Sequence, residues 1–302
     1  MSIRFDGRVA IVTGAGGGLG RLHALALAAR GAAVVVNDLG SAIDGSGGAP
    51  AAANAVAEEI RGVGGKAIAN GASVTDFAAV QAMVDAAVRE WGRVDILVNN
   101  AGILRDKSFA KMELADFRLV MDVHLMGAVH CSKAVWNLMR AQNYGRIVMT
   151  TSSTGLFGNF GQANYGAAKM ALVGLMQTLS IEGAKHDIRV NCLAPTAATR
   201  MTEHLMPEAV LKLLEAEAVT PGLIALVAED APTRAILCAG AGGFERAHVT
   251  LTNGVRVGHL DDAAERIAAQ WDSISDREGD TVPESGAAQG ALEIGKALRA
   301  LA

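Results

Sequence analysis

Cysteine is scarce. The 302-residue chain has three, Cys131, Cys192 and Cys238, with no metal-ligand spacing and no way for all three to pair. That argues against a disulfide framework or a thiolate metal centre, and points to buried small hydrophobes in a reducing compartment. Aromatics are only 4 % of the chain, and only two of them are tyrosines. So few large rings suit closely packed helix–sheet layers better than a sandwich or a ligand-caging barrel. No basic block occurs and the formal net charge is -4, which argues against a nucleic-acid partner. No apolar run reaches the roughly 20 residues of a membrane helix; Arg21, His23 and Arg30 interrupt the most hydrophobic region. The start, MSIRFDGRVAIVTG, carries no charged-then-apolar leader, and the closing KALRALA is not a peroxisomal address. A cytoplasmic protein with neither nucleic acid nor membrane as partner is the expectation.

What is present is a rhythm. Short apolar runs at 8–14, 32–38, 66–71, 94–100, 145–152, 188–195 and 247–254 read as seven strands. The first four are nearly continuous in Val, Ile, Ala and Leu, as strands covered on both faces are. Helical patterns at 18–31, 51–63, 76–91, 114–142 and 162–186 have the length of crossovers. The expected fold is α/β: a Rossmann-like, doubly wound, seven-stranded parallel sheet with helices on both faces. Residues 1–258 form that domain, the long segment 196–222 after strand six reads as a substrate lid, and 259–302 as a C-terminal extension.

VAIVTGAGGGLG is a strand entering a glycine loop and then a helix. Gly14, Gly18 and Gly20 give G-x-x-x-G-x-G, with Leu19 where the commoner dinucleotide fingerprint has its third glycine. Bare backbone and free helix N–H groups suit a pyrophosphate. Asp38 ends the second strand 18 residues after Gly20, where a carboxylate receives ribose hydroxyls and repels a 2′-phosphate. At ~4 Å and an effective dielectric of ~20 that repulsion is roughly 4 kcal/mol, favouring NAD over NADP, with Arg21 a partial offset. The fourth strand ends Asn99-Asn100-Ala101-Gly102, again small residues at a strand's carboxyl end.

Tyr165 and Lys169 lie one helical turn apart on one face, and Ser152 ends the preceding strand. With TGAGGGLG, NNAG, the serine and Tyr-x-x-x-Lys in that order, the sequence resembles the short-chain dehydrogenase/reductase family over roughly residues 5–255. The resemblance implies Ser152, Tyr165 and Lys169 as catalytic residues and NAD as cofactor. The cofactor would be held by Gly14, Gly18, Leu19, Gly20, Asp38, Ser73, Val74, Asn100, Ala101, Gly102, Tyr165, Lys169 and Thr199. A phenol acts as base only if its pKa falls from about 10 towards 7, roughly 4 kcal/mol. The Lys169 ammonium is expected to supply most of this, and oxidised nicotinamide the rest. Ser152 would hydrogen-bond the substrate oxygen.

His124 stands where the family usually has an asparagine, and is a further catalytic candidate beside the reading of a buried structural histidine. MDVHLMGAVHCSKAVW, YGRIVMTTSSTGLFGNFGQANYGAAK and NCLAPTAATRMT are similar to the dehydrogenase portion of peroxisomal multifunctional enzymes of type 2. That portion oxidises (3R)-hydroxyacyl-CoA to 3-oxoacyl-CoA with NAD. Three readings stay open beside it: a hydroxysteroid dehydrogenase, an NADPH-dependent 3-oxoacyl reductase, and a non-catalytic dinucleotide-sensing module. The FGNFGQ segment with Leu205, Met206, Leu211 and Leu214 either lines an apolar pocket or is core. Arg105, Lys107, Lys111 and Arg200 either meet coenzyme A phosphates or are solvated surface. The partner expected is a small-molecule acyl-CoA or steroid-like alcohol, and the resemblance implies a homodimer or homotetramer.

Overall fold

The computed structural model describes residues 2–47, 51–197 and 211–301. Strands β1 (Val9–Thr13), β2 (Ala33–Asn37), β3 (Lys66–Asn70), β4 (Ile96–Asn99), β5 (Gly145–Thr150), β6 (Ile188–Thr196), β7 (Ile236–Gly240) and β8 (Gly243–Ala247) form one sheet. Its order is β3-β2-β1-β4-β5-β6-β7-β8. The first seven pair in parallel. β1, β2, β4 and β5 are buried along their whole length, which is why β1, β2 and β4 read as nearly continuous apolar runs. Helices α1 (Gly18–Ala29), α2 (Ala51–Gly62), α3 (Phe77–Trp91), α4 (Leu114–Met121), α5 (Gly127–Gln142), α6 (Ser153–Phe157) and α7 (Ala163–Gly183) make the crossovers. The Asp76 side chain caps α3 by accepting from Ala79 N at 3.1 Å, and Gly92 (φ +79°) ends it.

The sheet has eight strands, not seven, and the last of the seven expected lies elsewhere. The run 247–254 alternates β-branched and polar residues but buries no face, and beyond Ala247 it makes one isolated bridge, Leu251 with Thr281. The true seventh strand is the short AILCAG run. Ala241 and Gly242, both at positive φ, turn it directly into β8, and two residues suffice only for an antiparallel hairpin.

The chain forms two compact units, Met1–Arg246 and Ala247–Ala302. The reason is local: Leu251 and Thr281 exchange backbone hydrogen bonds at 2.8 and 3.0 Å, and Thr252 Oγ1 donates to Ile274 O at 2.7 Å. Residues 247–258 are thereby bound to the tail, which holds helices Ala263–Ala269, Trp271–Ser275 and Gly286–Arg299. Of the expected lid, residues 198–210 lie outside the described residues, with Thr199, Arg200, Leu205 and Met206. The later part has a turn at Ala216–Ala218 and a helix Thr220–Leu226.

Strand order fixes where chemistry sits. The chain runs outward from β1 to β3, then returns to place β4 on the other side of β1. The connections leave β1 and β4 in opposite directions and open a crevice at their carboxyl ends, where open α/β sheets take ligands. The amino ends carry the charge instead. Buried Asp95 accepts from Arg93 (2.6 Å), Arg8 (3.1 Å) and Val9 N (2.9 Å). Arg146, fully buried, donates to Asp187 and to the Ala228 and Glu229 carbonyls. Tyr144 lies between the guanidiniums of Arg8 and Arg146, 3.6 and 4.2 Å from its ring centre.

Candidate active site

The glycine loop follows β1 into α1, with Gly14 and Gly18 at φ +63° and +50°. A Cβ on Gly14 would stand 2.8 Å from Ala101 Cα, and one on Gly20 only 2.1 Å from Gly14 O. These two glycines therefore let the loop close against the next strand end. At Gly18 a Cβ would meet nothing within 4 Å, so there the backbone angle alone asks for glycine and open space lies in front of it. The N-cap of α1 is Gly17, which offers no side-chain cap. Its first N–H groups thus face that space, and the cradle fits a pyrophosphate.

The β4 end is tied to this loop. Thr13 Oγ1 accepts from Asn100 N and Ala101 N at 3.0 Å each, and the Asn100 amide donates to Thr13 O and Gly14 O at 3.0 and 3.1 Å. Asp38 accepts from Gly16 N and Gly40 N, both at 2.7 Å. Arg21, the expected offset to Asp38, is held by Glu59 through a bidentate pair at 2.6 and 3.1 Å. Leu19 is partly buried and packs on the core. Ser73 bonds Thr75 Oγ1 at 2.8 Å, and Val74 O meets His130 Nδ1 at 2.9 Å, fixing the loop after β3.

Ser152 lies two residues past β5 and caps α6, its Oγ accepting from Thr154 N at 3.1 Å. α6 and α7 touch closely: a Cβ on Gly155 would be 2.7 Å from Lys169 Cβ. Thr151 Oγ1 donates to Lys169 O at 2.6 Å and Lys169 Nζ to Thr150 O at 2.6 Å, pinning α7 on the end of β5. Ser152, Tyr165 and Lys169 are thus brought together at the carboxyl edge.

Burial dominates their electrostatics. Burial raises the Tyr165 phenol above its usual value, with the Ser152 hydroxyl pulling the other way and Asp106 adding to the rise. Lys169 Nζ lies 5.4 Å from the centre of the Tyr165 ring, and burial lowers its amine to about 7. In the free protein the dominant effect on both groups is desolvation.

His124 sits in a single π-helical turn, Asp122–Met126, that interrupts the one long helix expected at 114–142. Such turns are frequent at functional sites. Its Nε2 meets Ile103 N at 3.0 Å and Ile103 O at 2.8 Å, and burial lowers its pKa to about 3, so the ring is neutral. Nδ1 is buried without a hydrogen-bond partner among the described residues, as is Asn99 Oδ1. Both residues line a small cavity of about 10 Å³ shared with Lys169 and Thr13, room for one water. Gly102, assigned to the cofactor by resemblance, faces this histidine: a Cβ there would be 2.4 Å from His124 Cε1.

Sequence reasoning missed a polar chain beside the serine. Thr154 Oγ1 and Asn159 Nδ2 donate to Gln162 Oε1 at 2.9 and 3.1 Å, and Gln162 Nε2 donates to Asp106 Oδ2 at 2.6 Å. Burial raises the Asp106 carboxyl. Only the quoted FGNFGQ segment hinted at it. Phe157 and Phe160 of that segment are 74 and 89 % exposed, so they are not core. Arg105 and Lys107 pair with Asp116 at 3.0 and 3.3 Å. The three thiols are free, and no cluster of potential metal ligands occurs among the described residues. No helix among them is long and apolar enough to cross a membrane.

A doubly wound sheet, a bare loop before an uncapped helix, and a serine, phenol and buried amine beside it define a dinucleotide-dependent oxidoreductase of CH–OH groups. The chain belongs to the short chain dehydrogenase family, whose profile matches residues 8–209, and it binds a nicotinamide dinucleotide. It is 51 % identical over 243 residues to the peroxisomal hydratase-dehydrogenase-epimerase of Saccharomyces cerevisiae, covering 80 % of this chain and 27 % of that protein. Full-length peroxisomal multifunctional enzyme type 2 from Drosophila melanogaster superposes with a TM-score of 0.80 at 35 % identity, over 99 % of this chain and 51 % of that one. A 7α-hydroxysteroid dehydrogenase solved with NADH and 7-oxo glycochenodeoxycholic acid gives 0.71 at 31 % identity, over 80 and 95 %. The chain spans about a quarter to a half of the two peroxisomal relatives.

Proposed function

We propose that the chain oxidises the secondary alcohol of a (3R)-hydroxyacyl-CoA to the 3-oxoacyl-CoA, with NAD as acceptor. The observation that carries the reading is the convergence of Ser152, Tyr165 and Lys169 beside the Gly14–Gly20 cradle. Ser152 donates a hydrogen bond to the substrate oxygen, and the Tyr165 oxygen takes the hydroxyl proton. Because burial holds the phenol protonated in the free protein, Tyr165 becomes a base only when further positive charge is brought to it. Lys169 passes protons onward from its seat on Thr150 O, towards the cavity that His124 and Asn99 line. When bound, the dinucleotide supplies the hydride acceptor. Its Gly14, Gly18, Gly20 and Asn100–Gly102 neighbours position it, and Asp38 selects NAD by holding a carboxylate where a 2′-phosphate would come.

The acyl-CoA assignment is supported by the relatives' printed names, and exposed Phe157 and Phe160 offer apolar surface for an acyl chain. A free hydroxysteroid is the second reading, favoured by the bile-acid-bound neighbour. The relatives are named for peroxisomes, in contrast to the cytoplasmic setting expected above. Exposed Met170 and Ile181 on α7 favour a homo-oligomer, which sedimentation would size. The deciding experiment offers NAD with 3-hydroxyacyl-CoA thioesters of rising chain length beside free hydroxysteroids and follows nicotinamide absorbance. Turnover of the (3R)-thioesters is expected; turnover of steroids alone would move the assignment.

A further inference from the structure

The C-terminal unit holds a cleft of about 450 Å³ lined by Arg256, Lys296, Arg299, Asn253, Gly254 and Leu292. Its charge is unlike the unit around it. Residues 247–302 carry nine Asp or Glu against five Lys or Arg. Arg266 and Arg277 pair locally, with Asp262 at 2.9 Å and Asp280 at 3.1 Å. The other three cations all converge on the cleft, where no carboxylate lines the wall and none of them has an ion-pair partner among the described residues.

Two separate segments supply them. Leu292, Lys296 and Arg299 lie on one face of the helix Gly286–Arg299, at i, i+4 and i+7. A helix's last turn favours cations on its own account, which explains Lys296 and Arg299. It does not explain Arg256, which comes from the strap 251–258. That strap is anchored through the Leu251–Thr281 bridge, and Asn253 Nδ2 donates to Glu278 O and Gly279 O at 3.3 Å each. Gly254 has φ +55°, and a Cβ there would lie 3.4 Å from Lys296 Nζ, so the ammonium is held near bare backbone. Within the catalytic unit, by contrast, Arg105 and Lys107 are already engaged by Asp116.

We propose that this cleft binds the phosphate groups of a small nucleotide that carries more than one phosphate. Guanidinium and ammonium groups from two segments can each take a different phosphate, and Leu292 gives the remainder an apolar wall.

The test uses the full chain saturated with NADH, so that the dinucleotide cradle is filled. Calorimetric titration with 3′,5′-ADP, coenzyme A and inorganic phosphate is compared in wild type, Arg256→Gln and Lys296→Gln/Arg299→Gln. The first two ligands are expected to bind, and each variant to weaken them by about tenfold or more with NADH affinity unchanged. Equal affinity in all three proteins, or no binding, overturns the site. Binding of inorganic phosphate as tightly as the nucleotides overturns the nucleotide assignment.

Discussion

The His124 imidazole meets the Tyr165 ring edge-on, with centroids 5.2 Å apart and planes at 90°. Gly102 also abuts this imidazole, with no room for a methyl group. Gly102→Ala should therefore displace the imidazole from its packing on the phenol and lower kcat/KM by about tenfold or more. Adding His124→Asn, a shorter side chain, should restore part of that loss. A double-mutant cycle reads the coupling, and strictly additive losses would show that the two positions are independent.

Tyr165→Phe should cut turnover by about 10²- to 10⁴-fold, the range general acid–base groups contribute, while NADH binding survives. Fluorescence titration and initial rates separate the two. Retained turnover would remove the phenol from the reaction.

Lys169→Met should abolish turnover and yet stabilise the fold near pH 7. Burial lowers this amine from 10.5 to about 7. Between those values the unfolded chain holds a proton that the folded one has released, so stability rises with pH across that window. Near and below pH 7 the folded state bears the cost of the buried charge, on the order of a few kcal/mol, and the methionine removes it. Thermal unfolding at pH 7 checks this; a lower Tm for the variant would contradict it.

Acid should act through His23, which is fully buried with Nδ1 3.1 Å from Thr220 Oγ1 and Nε2 unpartnered among the described residues. Its pKa falls from 6.5 to about 3 on burial. Below 6.5 the unfolded chain takes up a proton that the folded one refuses, so stability present above 6.5 drains away as pH falls towards 3. Urea midpoints measured between pH 7 and 4 should decline, and His23→Leu/Thr220→Val should flatten the slope. His124, shifted to about 3 by burial, adds to the decline in both proteins.

Asp38→Ala should narrow the preference for NAD over NADP, by about tenfold or more in the ratio of kcat/KM values. It also frees Gly16 N and Gly40 N, so NAD itself should bind less well. An unchanged ratio would mean that another group selects the cofactor.

The parts legible in the sequence were those in which one short motif fixes both backbone and chemistry. Gly14, Gly18, Gly20 and the NNAG end mark the crevice because each glycine answers a local steric demand or an unusual φ. The placement of Tyr165 and Lys169 on one helical face follows from their spacing alone. The strand at 236–240 was hidden because its five residues carry no alternation, while the tempting pattern at 247–254 has no face to bury. Desolvation was equally invisible: nothing near Tyr165 in sequence tells that its phenol rises and its neighbouring amine falls. The Asp106–Gln162–Thr154 chain joins residues up to 56 apart, which only the fold brings together.

The guanidiniums of Arg8 and Arg146 clasp Tyr144 at one rim of the sheet, while Tyr165 faces the opposite rim. One phenol is mortar and the other is a tool. Loops at the working rim can therefore be rewritten, to admit a longer chain or a fused ring, without loosening the masonry at the foundation. New selectivity on this scaffold should come from changes around Phe157, Phe160 and Gln162 that leave the melting behaviour almost untouched.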